Sequence, residues 1–151
     1  MKARSRLLGL ARACVLSAAA IYGFASVSAP SGLTPRDADS IRDAVQAQID
    51  AFATNDAPRA FSLASNDVQQ AFGSAQQFMA MVRAQYPMVS RPAVVAYTRP
   101  ELVGDRVMQR VHITDDDGRA WLVTYLLRRA PDRQWRISAC VVAPSAKRIV
   151  A

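Results

Sequence analysis

The stretch that most constrains the fold runs from Asp105 to Val142, where VMQRVHI, AWLVTYLL and QWRISACVV are joined by the turns DDDG and APDR. Their period of two sends successive side chains to opposite faces, so these runs are strands that must lay one face on another layer. Asp115-Asp116-Asp117-Gly118 has the composition of a type I turn closed by a glycine in the left-handed region, which places Asp115 opposite Arg119. Counting back from that turn, Val107, Gln109, Val111 and Ile113 share a core face with Trp121, Val123, Tyr125 and Leu127, and Trp135, Ile137, Ala139 and Val141 extend it. The other face carries Met108, Arg110, His112, Leu122, Thr124, Leu126, Arg128, Arg136, Ser138, Cys140 and Val142. Its apolar members would stay exposed unless covered, so a weak homodimer through this outer face is expected.

The half before the strands is helical. Thr34 stands before Pro35 as an N-cap before a first-turn proline, with Asp37 and Asp39 at the positive end of the helix dipole. Ile41, Val45, Ile49 and Phe52 then form one apolar stripe at helical spacing, with Arg42, Asp43, Gln46 and Asp50 off it. Asn55-Asp56 ends that helix and caps a shorter one carrying Ala60, Phe61, Leu63 and Ala64, and Ser65-Asn66-Asp67 caps a segment from Val68 to Phe72. After Gly73-Ser74 a further helix runs from Ala75 to about Tyr86, closed by Pro87. Ala93 to Thr98 reads as a fourth strand, held to a sheet edge by Pro92 and Pro100. Helices first and a meander after is an α+β order: N-terminal helices packed on a curved antiparallel sheet of about four strands.

The beginning of the chain has a different character. Lys2, Arg4, Arg6 and Arg12 precede an apolar run from Ala13 to Val27 that ends in small residues, the pattern of a secretory signal cut after Ala25 or Ser28. The alternative is an uncleaved single-pass anchor, although the run falls short of the ~20 residues that span a bilayer. Residues 1–29 are therefore read as signal or anchor and 30–151 as one domain, periplasmic or secreted, with a membrane partner only if the first segment stays uncleaved. Removing residues 1–29 takes four of the 19 basic residues and none of the 12 acidic ones, so the formal charge falls from +7 to +3. A mildly basic domain with scattered arginines has no nucleic-acid footprint. Cys140 would then be the sole cysteine, and stability must come from packing.

The runs LTPRDADSIRDAVQAQIDAFATNDAPRAFSLAS, AFGSAQQFMAMVRAQYPMV and DDDGRAWLVTYLLRRAPDRQWRISACVV resemble a bacterial family known as domain of unknown function 4864, from Leu33 to Val142. The resemblance implies a cone-shaped fold similar to nuclear transport factor 2 and ketosteroid isomerase, and no activity. Sequences of that kind usually carry Asp-Gly in the second turn, where Asp132-Arg133 stands here, so a less tight turn is expected.

No catalytic, metal or cofactor motif emerges from the residues. His112 falls on the outer face, and Cys140 falls there too but two strand spacings of about 4.8 Å away, too far for a Cys-His dyad. The three aspartates of the first turn lack the alternate spacing and terminal Glu of a calcium loop, and Met79, Met81 and Met88 read as core filling. Gln109 and Tyr125 are more informative, being polar on an otherwise apolar face, and a buried polar group needs a partner. Either they bond each other across the strands, or they belong to a cavity for a small apolar ligand lined by Gln109, Tyr125, Trp121, Trp135, Phe52, Phe61 and Phe78. Cavities of related cone folds bind substrates, but no acid is placed in this one. The expected function is a non-catalytic small-ligand-binding or accessory protein of the cell envelope, the alternative a small isomerase- or hydrolase-like enzyme using the cone cavity.

Overall fold

A computed structural model describes residues 32–146, so the segment read as signal or anchor lies outside the described residues. Five helices, α1 (Pro35–Ala53), α2 (Ala57–Ser62), α3 (Asn66–Phe72), α4 (Ala75–Gln85) and α5 (Pro87–Ser90), precede the strands β1 (Pro92–Tyr97), β2 (Glu101–Val103), β3 (Arg106–Asp115), β4 (Ala120–Arg129) and β5 (Trp135–Pro144). Thr34 caps α1 reciprocally: its hydroxyl accepts from the Asp37 N–H at 3.1 Å while the Asp37 carboxylate accepts from the Thr34 N–H at 3.1 Å. Two free N–H groups of the helix start are thus satisfied, which is the reason the chain enters the helix here. Ile41, Val45, Ile49 and Phe52 are all buried, as their spacing requires. Asp56 caps α2 through the Arg59 N–H. Pro87 ends α4 and also opens the single turn of α5, since a first-turn proline loses no helical hydrogen bond.

The strands form one antiparallel sheet in the order β1-β3-β4-β5, and β2 pairs with β3 beyond β1. One edge is therefore a strand in two pieces, interrupted at Thr98–Pro100, where Pro100 reads in sequence as a terminator. The β3–β4 register matches the expectation throughout, with Gln109 opposite Tyr125 and Ile113 opposite Trp121. Gly118 sits at φ 75 and closes the turn by donating its N–H to the Asp115 carbonyl at 2.9 Å. The Trp121 indole donates to the Asp115 carboxylate at 2.8 Å, and this bond, with the Arg119 and Asp117 N–H groups, holds that carboxyl below its usual range. The second turn is as well closed as the first: Arg133 donates its N–H to the Ala130 carbonyl at 2.8 Å, but does so at φ 66 without being glycine.

The far half of β5 departs from the expected face. Leu127 pairs with Ile137 and Leu126 with Ala139, so Ser138 is an extra residue whose hydroxyl donates to the Leu126 carbonyl at 3.1 Å. One extra residue reverses every side chain beyond it. Cys140 and Val142, expected outside, stand opposite Tyr125 and Val123 on the inner side, and Val141, expected in the core, is 63% exposed. Nothing in RISACVV marks the bulge, because both parities are partly apolar. The edge of β5 at Ile137 is covered by the link between α2 and α3: Ser65 N–H donates to the Ile137 carbonyl at 2.8 Å and Ile137 N–H to the Leu63 carbonyl at 2.9 Å. That tether pins the helices to the sheet edge beside the bulge.

The core joins the α1 stripe, Phe78, Met79 and Val82 of α4 and Val89 of α5 to the inner face, where Val107, Val111, Ile113, Val123, Tyr125 and Leu127 are buried. Burying each such side chain stabilises by roughly 1.5–3 kcal/mol relative to exposure.

Candidate ligand cavity

A cavity of about 380 Å³ opens between the helices and β5. Val68 and Phe72 of α3, Phe78, Met81 and Val82 of α4, Tyr86, and Val89 of α5 make its helical side, with Phe52 and Gln48 of α1. Ile137, Ala139 and Cys140 make its strand side, and Ala64 completes the ring. Its volume falls in the range of roughly 300–1,000 Å³ that holds small molecules, and its wall is mostly apolar. Phe78 anchors the aromatic part, with Phe52, Phe61 and Phe72 at ring-centroid distances of 5.9, 5.8 and 5.2 Å. Gln48 is fixed by donating to the Ala60 carbonyl at 3.2 Å. The bulge at Ser138 brings Cys140 into this wall. Cys140 stays solvent-accessible at the rim, while the protein packed around its thiol pushes the pKa up to about 12, so it is a neutral thiol at physiological pH.

Of the residues expected to line a cavity, Phe52 and Phe78 do so here. Phe61 packs on Phe78 from outside the lining. Trp121 lies in a groove beside the first turn with Met88 and Arg91, and Trp135 in another beside α1, so the two tryptophans are far apart along the sheet. Tyr125 and Gln109 are on the inner face as expected and wholly buried. They do not bond each other. Gln109 donates instead to the Thr98 carbonyl at 2.8 Å and the Arg110 carbonyl at 2.9 Å, bridging the interruption between β1 and β2, and its Oε1 has no partner. The Tyr125 hydroxyl is buried with no hydrogen-bond partner, and burial, then the nearby Cys140 thiol and Tyr97 hydroxyl, push its pKa well above the ordinary value. Such a hydroxyl next to a cavity wall is an unmet polar demand.

Nearer the sheet edge, Tyr97 donates to Gln46 Oε1 at 2.6 Å and Gln46 donates on to Asp50 at 2.7 Å. Burial, then the Asp50 charge, push Tyr97 up to about 12. Asp50 itself remains exposed and outside the cavity. His112 is on the outer face as expected, paired with Leu122, and so on the opposite side of the sheet from Cys140. Met108, Leu122 and Leu126 are half-buried on that outer face. Reading from the sequence misses Val68, Phe72, Tyr86, Val89 and Cys140. The i, i+4 pairs Val68/Phe72 and Val82/Tyr86 are a signal that could have found three of these five; Val89 lies in the single turn after Pro87, and the bulge hides Cys140.

Residues 34–150 match a family model described as a domain of unknown function, DUF4864. Among solved structures, an NTF-2-like protein of unknown function from Silicibacter pomeroyi DSS-3 is similar, with 18% identity and a TM-score of 0.53 over 75% of this chain and 100% of that one. Another, from Burkholderia xenovorans LB400, has 17% identity and a TM-score of 0.46 over 75% of this chain and 88% of that one. None of the curated proteins compared with the chain matches it. The fold is NTF-2-like: helices packed against an open antiparallel sheet.

Proposed function

The chain belongs to the DUF4864 family, and from its cavity we propose a binding role: an exported protein of the cell envelope that holds a small apolar ligand between the helices and β5 without transforming it. The observation that carries this reading is the chemistry of the wall, which includes no Asp, Glu, Lys, Arg or His. General acid–base work most often draws on one of those five types, and the ionisable side chains that remain in the wall are Tyr86 and Cys140. The one nucleophile at the rim, Cys140, has its pKa pushed up to about 12 and is thereby disarmed. Export rests on the basic, apolar and small-residue order of residues 1–29.

Native mass spectrometry of the protein isolated from its own cells tests both parts. The mature mass should lack the first 25 to 28 residues. It should also carry a non-covalent small molecule that Val68→Trp, which fills the cavity, removes while the far-ultraviolet circular dichroism stays that of the folded protein. A bare polypeptide that also fails to take up nile red, a neutral apolar probe, would sink the binding role.

A further inference from the structure

We propose that a second site, the groove between the first turns of α1 and the β4–β5 hairpin, binds a phosphate-type oxyanion. The groove holds about 680 Å³ and is lined by Arg36 of α1 and by Arg129, Arg133 and Arg136 of the hairpin. Arg36 is far in sequence from the other three, and the fold sets the hairpin against the start of α1, where Arg129 meets Asp37.

Their pairing divides them by role. Arg129 is committed: it donates to the Asp37 carboxylate and its guanidinium lies 4.7 Å from the Trp135 ring centroid. Arg136 donates to Asp132 at 2.8 Å. Arg36 and Arg133 have no carboxylate partner among the described residues, although both line the groove. Of the two lining acids, Asp37 is occupied by Thr34 and Arg129, leaving Asp43 as the only lining counter-charge without a salt bridge. Two guanidinium forks without a carboxylate partner line the groove from separate elements. One carboxylate is filled by one fork, whereas a tetrahedral oxyanion offers three acceptor oxygens to donors arriving from different directions.

The backbone of Arg133 is the independent observation. It holds φ 66, the left-handed conformation that its neighbouring hairpin gives to glycine. A non-glycine residue there carries local strain, and strain of this kind concentrates where a side chain is needed. The side chain held at that cost lines the groove.

The test is calorimetric titration of the full chain with inorganic phosphate and with sn-glycerol 3-phosphate, beside co-sedimentation with vesicles of phosphatidylglycerol in phosphatidylcholine. Binding of the soluble phosphates identifies a free ligand; binding of the vesicles alone identifies a lipid headgroup; binding of neither overturns the site. Arg133→Gly should weaken whichever binding is seen by ~10-fold, the loss of one charge-assisted contact, while the melting temperature stays level or rises. Arg36→Ala should weaken it similarly, and Arg99→Ala, an exposed arginine outside the groove, should leave it unchanged. Equal loss in Arg99→Ala and Arg133→Gly would mean charge attraction without a site and would overturn the proposal.

Discussion

The β3–β4 and β4–β5 hairpins close with the same hydrogen bond and then diverge. In the first, Gly118 takes the left-handed conformation at no steric cost and the register runs unbroken from Thr114/Ala120 to Val107/Leu127. In the second, Arg133 takes that conformation without being glycine, and the register shifts at Ser138. The regular hairpin supplies the sealed part of the core. The irregular one supplies the strand wall of the apolar cavity and three of the four arginines of the groove. A positive-φ arginine and a bulge thus share the hairpin that contributes to both candidate sites, while the other departures, at Asn55 and between Pro92 and Val94, lie away from it.

The largest expected contrast is in packing. Ile113→Ala, on the regular inner face, should cost about 2–5 kcal/mol, and Val141→Ala, turned outward by the bulge, should stay within about 0.5 kcal/mol. Urea unfolding measures both; comparable losses would mean that no bulge reverses β5. Next come the turns themselves. Gly118→Ala should destabilise by about 1–2 kcal/mol, whereas Arg133→Gly should stabilise by about 0.5–1 kcal/mol, opposite signs at matching positions. Tyr125→Phe should stabilise by up to about 1 kcal/mol in the unliganded protein, because it removes a buried hydroxyl that bonds nothing, while Gln109→Leu should destabilise by freeing the Thr98 carbonyl.

The smallest effect is at alkaline pH. The folded pKa of Tyr97 is raised, so the folded state holds its proton more tightly than the unfolded chain. Its contribution is complete below the ordinary value of 10.0 and is lost as pH rises towards about 12. Thermal melts across that window should fall less steeply for Tyr97→Phe than for the wild type.

Legibility in the sequence followed local chemistry. The start of α1 was readable because Thr34, Pro35 and Asp37 satisfy a helix end together, and the first hairpin because Gly118 fixes parity. The two-piece edge was not, since Pro100 marks an interruption equally well as an end. The β5 bulge was not, since it depends on Ser138 reaching the Leu126 carbonyl, a tertiary choice with no local signature. Phe52 and Phe78 are legible as cavity residues from helical periodicity, whereas strand parity puts Trp121 and Trp135 on the core face without saying how far along the sheet the cavity lies, and both stand beside the turns.

Methyl-labelled NMR of the full chain titrated with nile red tests the cavity most directly. Shifts concentrated on Val68, Val82, Val89 and Ile137, with Val111 and Val123 of the sealed inner face unmoved, are the result a cavity bounded by the bulged β5 predicts. Saturating shifts that appear instead on outer-face Leu122 and Leu126, or no shifts at all, would contradict it.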